Sequence, residues 1–342
     1  MDFLAEFAKA RLYPPADTHP SFAGKTVIVT GANTGVGYEA ALKFAQQGAS
    51  PLILAVRSLK KGEEARARIQ SRIGSTTKTP EADTIDVWEL DMLSYPSIQA
   101  FAARASRELR SLDYLILNAG VSPAKFERSA YGWERTEQVN VLSTVLLALL
   151  LLPQLRASKT SEFTPVLELV SSGIAYAYND LMDYSTQQGP MHAYSDALEK
   201  SWNPMSAYGV SKVFLEFAKV ELTALATKPS KSGKDDGVLV ISVCPGPTKS
   251  DLARDQTAWY MRIALAIFGF FQRSGEQGSR TYISGVMQGE KGQGGFWQHD
   301  KLRAPAPLLL SDRDGKLRAQ IWAEIVQALE SEVPEVKQLV QG

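Results

Sequence analysis

The stretch KTVIVTGANTGVGYEAALKFAQQGA, residues 25–49, constrains the fold more than any other part of the chain. An apolar run of strand length leads into a turn that carries Gly31, Gly35 and Gly37, and a helical pattern follows at once. Strand, glycine-rich turn and helix in that order are the setting in which such a turn holds a dinucleotide. The glycines let the backbone turn tightly and come close to a pyrophosphate. The helix that opens behind them offers unpaired N–H groups and the positive end of its dipole.

The alternation continues along the chain. Strand-length apolar runs fall at 25–30, 51–56, 85–90, 112–118, 164–172 and 237–246, with a short seventh at 294–297. Helical patterns lie between them, at 37–49, 58–73, 97–110, 132–157 and 206–227. Strands that alternate with helices build right-handed βαβ units, and near-continuous apolar strands are buried on both faces. The expected fold is therefore α/β, a single Rossmann-type doubly wound parallel sheet of about seven strands with helices on both faces. No linker is evident, so residues 1–342 read as one domain. Its core spans about 24–256, an insertion lies at 173–205, and a substrate lid with a C-terminal extension covers about 256–330.

Composition excludes several classes. Lys+Arg and Asp+Glu each number 37, so no net charge draws the chain to nucleic acid. Cys244 is the only cysteine, so no intramolecular disulfide marks an oxidising compartment, and a reducing, cytoplasmic location is expected. The apolar run at 141–152 falls short of the roughly 20 residues that span a bilayer and reads as a buried helix. The start, MDFLAEFAKARLYPP, lacks the apolar core of a secretory signal and reads as a short amphipathic helix ended by Pro14 and Pro15. Residues 258–271 are apolar but contain Arg262; lid, core and peripheral membrane contact all remain open for them.

Where the second strand ends, a carboxylate would hold the ribose 2′-hydroxyl of NAD. The sequence there is LILAVRSLKK, with no acid but with Arg57, Lys60 and Lys61, and cations favour the 2′-phosphate of NADP(H). The two lysines read equally well as the solvated face of the next helix. Further on, SAYGVSK places Tyr208 four residues before Lys212, which on a helix stacks a phenol above an ammonium. His192 has no companion at metal-ligand spacing, so no metal is expected.

These motifs together resemble the short-chain dehydrogenase/reductase family. TGANTGVG matches its glycine loop, NAG (118–120) its segment after the fourth strand, and VN (139–140) its helix asparagine. VSSG (170–173) matches its serine segment, YGVSK (208–212) its YxxxK, and CPGPTKSDL (244–252) its PG motif. LAVRSLKKGEEA and EQGSRT are similar to the retinol-dehydrogenase-like subgroup and its fungal relatives. The resemblance implies a catalytic set of Ser172, Tyr208, Lys212 and Asn140. Tyr208 is then the general acid for carbonyl reduction, Lys212 favours its phenolate, Ser172 stabilises charge on the substrate oxygen, and Asn140 anchors a water in a relay to Lys212. The implied cofactor contacts are Gly31, Asn33, Gly35, Val36, Gly37, Arg57, Lys61, Asp91, Asn118, Thr248 and Ser250, together with Tyr208 and Lys212.

Two departures stand out. Ser250 replaces the family's usual threonine, and the insertion at 173–205 separates Ser172 from Tyr208 further than in compact members. It carries Tyr176, Tyr178, Tyr184, His192, Tyr194 and Trp202, and reads either as the lining of a substrate pocket or as a flap packed on itself. The resemblance implies an NADP(H)-dependent oxidoreductase that interconverts a ketone or aldehyde with an alcohol on a lipophilic or secondary-metabolite-like substrate. The competing reading is a non-catalytic dinucleotide-binding regulator on the same fold. In many family members the Leu-rich helix and the Tyr208 helix form a dimer interface; the apolar run 141–152 suits either that interface, in a homodimer, or the core of a single chain.

Overall fold

The computed structural model describes residues 12–74, 84–178, 189–229, 236–249, 252 and 272–341. The amphipathic start (1–11), Asp180, Asp183, Tyr184, Ser250 and the apolar stretch 258–271 lie outside the described residues.

Eight strands form one sheet in the order β3-β2-β1-β4-β5-β6-β7-β8. β1 (Val27–Thr30), β2 (Leu52–Val56), β4 (Tyr114–Leu117) and β5 (Val166–Val170) are buried along their whole length. β6 (Leu239–Cys244) is buried except at its first residue. Edge strand β3 (Ile85–Glu89) buries Ile85 and Trp88 and exposes Asp86 and Glu89. All these pairings, and that of β6 with β7 (Phe296–Gln298), are parallel. The order reverses between β1 and β4, which puts the crevice for a ligand at the C-terminal ends of these strands.

The seven expected strands are present, and an eighth, β8 (Lys301–Arg303), runs antiparallel to β7. His299 and Asp300 join the two with φ of 54° and 55°, the left-handed pair that a tight hairpin turn requires. Nothing in the polar KLR triplet announces a strand, and the turn lacks the usual Asn-Gly signature.

Helices cover both faces: α1 (Gly35–Gln46), α2 (Leu59–Gly74), α3 (Tyr95–Glu108), α4 (Arg135–Ala157), α5 (Pro190–Lys200), α6 (Pro204–Thr227) and α7 (Gly275–Val286). Three more follow at the C-terminus: α8 (Pro307–Ser311), α9 (Lys316–Glu332) and α10 (Val336–Gln341). Although α4 is long and apolar enough to cross a membrane, it is mostly buried inside the protein, where its Leu run packs on the sheet. The insertion is partly helical, since α5 folds within it. Pro190 opens that helix at a position where its missing N–H costs nothing.

Candidate active site

Tyr208 and Lys212 stand one turn apart on α6, a helix whose first turn is fixed by Asn203. The Asn203 Oδ1 accepts from the backbone N–H groups of Met205 and Ser206, both at 3.0 Å. The Lys212 Nζ lies 5.6 Å from the centre of the Tyr208 ring and donates to the carbonyl of Val170 at 2.8 Å. Val170 ends β5, two residues before Ser172, whose side chain is hydrogen-bonded to Tyr208. The structure thus brings three of the four expected catalytic residues into one cluster at the C-terminal end of β5. Tyr178, from the insertion, leans on the same turn: a Cβ on Gly209 would lie 2.0 Å from its ring, so only glycine admits this contact beside Tyr208.

The electrostatics differ from the sequence expectation. Burial pushes the Tyr208 phenol above its ordinary range, neighbouring Cys244 adds to that, and the Ser172 hydrogen bond opposes both. Lys212 does not pull the phenol down; its own ammonium is brought by burial to about 8, against the charges of Glu216 and Cys244. In the protein alone, therefore, Tyr208 is a phenol and not a phenolate at neutral pH.

The Asn140 side chain ties two segments together beside this cluster. It sits in a π turn, Gln138–Ser143, inside α4, a geometry that recurs at functional sites. Its Nδ2 donates to the Val121 carbonyl and to the Ser211 Oγ, both at 3.0 Å, and its Oδ1 accepts from the Val121 N–H at 2.9 Å. The side chain clasps the loop after β4 onto α6, next to Lys212 in sequence, and both amide hydrogens are used in doing so.

The glycine turn is built as its residues require. Gly31 has φ of 66° and Gly35 of 57°, and a Cβ on Gly37 would meet Asn118 Nδ2 at 2.3 Å and the Gly31 carbonyl oxygen at 2.7 Å. Asn118 braces this turn. Its Nδ2 donates to the Thr30 carbonyl at 2.8 Å, and its Oδ1 accepts from the Tyr282 hydroxyl at 2.8 Å. Val36 is buried in the first turn of α1. Beside the turn lies a groove of about 660 Å³ lined by Asn33, Thr34, Lys61, Glu64, Ala67 and Arg68. Lys61 is exposed in this groove and Arg57 is exposed just after β2, and neither side chain forms an ion pair among the described residues. A cradle of glycines with cations on its rim fits a phosphate-bearing dinucleotide. Lys61 lines the groove while Lys60 does not, which separates two residues that sequence alone left equivalent.

Four residues of the region lie outside the expected catalytic and cofactor sets. Arg68 is one, donating to the Asn33 carbonyl at 3.1 Å and stacking 4.4 Å from the Tyr38 ring. Its position one helical face along from Lys61 and Glu64 was the available signal. Cys244 is another: its buried Sγ accepts from the N–H groups of Gly173 at 3.1 Å and Gly246 at 3.3 Å, and from Gln298 Nε2 at 3.4 Å. Burial pushes its thiol up. Gln298 comes from β7 and Arg273 from the entry to α7, both too far along the chain for spacing to reveal them. Asp91 follows β3 and accepts from the Leu93 N–H at 3.0 Å, and the Thr248 hydroxyl donates to the Gly246 carbonyl at 3.0 Å.

Within the insertion, the two readings separate by residue. Tyr178 stays at the cluster, whereas Tyr176 donates its hydroxyl to the Ala304 carbonyl at 2.5 Å and packs on Phe296 of β7. Trp202 donates its indole N–H to the Ala124 carbonyl at 2.9 Å. His192 turns away and pairs with Glu324 of α9 at 2.7 Å.

Comparison with known proteins agrees with this geometry. Residues 25–205 match the short chain dehydrogenase family. The chain is 39% identical to "Short-chain dehydrogenase/reductase ffsI" of Aspergillus flavipes, over 98% of this chain and 95% of that one. The fold is shared with a crystal structure of a protein from Mycobacterium Paratuberculosis (TM-score 0.62, 23% identity, 92% of this chain and 96% of that chain). It is shared as well with a short-chain dehydrogenase from Sphingobium yanoikuyae in complex with NADPH (TM-score 0.56, 19% identity, 87% and 94%). The chain belongs to the short-chain dehydrogenase/reductase family and is an oxidoreductase of fungal type.

Proposed function

We propose that the protein is an NADP(H)-dependent oxidoreductase that reduces a ketone or aldehyde to the alcohol, or runs the reverse reaction, on a lipophilic, secondary-metabolite-like substrate in the cytoplasm. The observation that carries this reading is the Ser172–Tyr208–Lys212 cluster placed, like the glycine turn, at the C-terminal ends of the parallel strands. When bound, the nicotinamide supplies or accepts the hydride. The chain supplies the proton and the charge stabilisation. A substrate oxygen that takes the place of the Ser172–Tyr208 hydrogen bond meets two hydroxyl donors at once, and Tyr208 releases its proton to that oxygen. Burial keeps Tyr208 protonated, the form that reduction requires.

NADP(H) over NAD(H) is supported by Lys61 and Arg68 in the groove and by Arg57, with no carboxylate, just after β2. The Tyr178 ring, packed on Gly209 next to Tyr208, supports an apolar substrate. Cys244, buried and alone, suits a reducing compartment.

The test is NADPH consumption followed by absorbance against a panel of ketones and aldehydes, with NADH and Tyr208→Phe as controls. Turnover with NADPH, little with NADH, and a loss of roughly a hundredfold or more in Tyr208→Phe are expected. Tight NADPH binding with no turnover across the panel would instead favour the regulator reading.

A further inference from the structure

Arg273 is fully buried and touches neither the Ser172–Tyr208–Lys212 cluster nor the glycine turn by any bond described above. A buried guanidinium is costly unless its donors are met, and what meets them is informative. Nη1 donates to the Pro245 carbonyl at 3.1 Å, and Nη2 to the Tyr13 carbonyl and the His299 Nδ1, both at 2.8 Å. The backbone of the same residue is used as well: its N–H donates to the Pro247 carbonyl at 2.8 Å, and its carbonyl accepts from the Lys249 N–H at 2.9 Å. The loop Pro245–Lys249 is therefore zipped to Arg273 along its length, with Thr248 bridged in parallel to it.

The fit leaves little slack. Gly246 has φ of 73°, and a Cβ there would lie 2.9 Å from Nη1. Behind the loop, a Cβ on Gly278 would meet the Thr248 methyl at 2.7 Å. The N-terminal segment that receives Nη2 is itself tied down. Arg280 donates to the Pro15 carbonyl at 3.3 Å, the Ala16 N–H donates to Asp300 at 2.8 Å, and Asp17 pairs with the buried Lys43 at 2.7 Å.

We propose that Arg273 is a positioning residue for the nicotinamide half of the cofactor: it sets the Pro245–Lys249 backbone, using residues 13–17 as a fixed backstop. This rests on the dinucleotide reading above and on the family resemblance, which implies that Thr248, just after the PG motif, covers the nicotinamide. Arg273 is not among the residues lining the groove beside the glycine turn, which that reading gives to the adenosine half. A residue that merely stabilises the fold would weaken both halves of the cofactor alike; one that positions the loop weakens only the nicotinamide half.

The experiment measures calorimetric binding of 2′,5′-ADP, which has no nicotinamide, and of NADPH, to the full chain and to Arg273→Lys, Arg273→Met and Gly246→Ala. Gly246→Ala disturbs the same contact while keeping the arginine, so it stands in should Arg273→Met fail to fold. For Arg273→Met and Gly246→Ala, 2′,5′-ADP affinity stays within about twofold of the parent while NADPH binds about tenfold more weakly, with Arg273→Lys in between. Equal weakening of both ligands, or NADPH binding that does not change, overturns the proposal. If the unaltered protein binds neither ligand, the dinucleotide reading itself fails and the proposal falls with it.

Discussion

Lys212 is held between opposing influences, and the balance sets a pH dependence. Burial brings its ammonium to about 8, while the carboxylate of Glu216, one turn further along α6, and Cys244 on β6 oppose that fall. Glu216 is itself buried, with Lys219 Nζ at 2.9 Å and the Ser242 hydroxyl at 3.2 Å on one of its oxygens. Reduction is best served while Lys212 is charged beside Tyr208, so reductive turnover should decline as pH rises through about 8. Glu216→Gln removes the opposing carboxylate, and the decline then begins at lower pH. A kcat profile at saturating NADPH and carbonyl checks this; a limb that stays in place in Glu216→Gln assigns the titration to another group. The sequence showed Tyr208 and Lys212 because helical spacing is local. Glu216 repeats that four-residue spacing from Lys212, but the sequence could not show that its carboxylate is buried beside Lys212 and not solvated. The same limit hid Cys244 and Gln298, whose meeting depends on β6 and β7 pairing.

Among the elements, the apolar strands were legible to within about two residues at each end, since burial on both faces leaves mostly apolar positions. β8 was not, because its identity comes from the hairpin turn and not from its own side chains. The insertion helix α5 was hidden for a related reason: its partner lies far along the chain. Glu324 of α9 accepts from the N–H groups of Met191 and His192, both at 2.8 Å, while its Oε1 also meets the His192 ring. A carboxylate at a helix N-terminus satisfies orphan donors and complements the dipole. It also fixes Gly189, whose φ of 84° puts a would-be Cβ 3.1 Å from that oxygen. Removing this clasp in Glu324→Ala should lower stability by about 2 kcal/mol, since two backbone donors lose a charged acceptor. Urea denaturation measures it, and an unchanged midpoint would mean that α5 is held by its apolar contacts alone.

At the scale of the whole molecule, the question is what covers α4 and α6. Their apolar faces, which sequence analogy assigned to a dimer interface, are already buried within one chain. Leu147, Leu151 and Leu155 of α4 and Phe214 and Phe217 of α6 share a single cluster with Ile321, Ile325 and Leu329 of α9 and with Val336 of α10. The stripe Leu317, Ile321, Ile325, Leu329 recurs every four residues and reveals in sequence that this helix has a partner. Which partner it has is a long-range fact that periodicity does not contain. The large apolar side chains that remain exposed among the described residues, such as Leu59, Met205, Met287 and Leu310, lie scattered along the chain, and α4 contributes none of them. The protein is therefore expected to sediment as a single chain over a wide concentration range. A dimer that persists on dilution would show that subunits associate through a surface other than these two helices, or that α9 and α10 move aside to admit a second copy. The two cases separate with Ile325→Asp. A charge buried under α9 loosens the cover on α4 and α6, so it leaves a dimer formed elsewhere intact but changes the assembly if the covered face is the one in use.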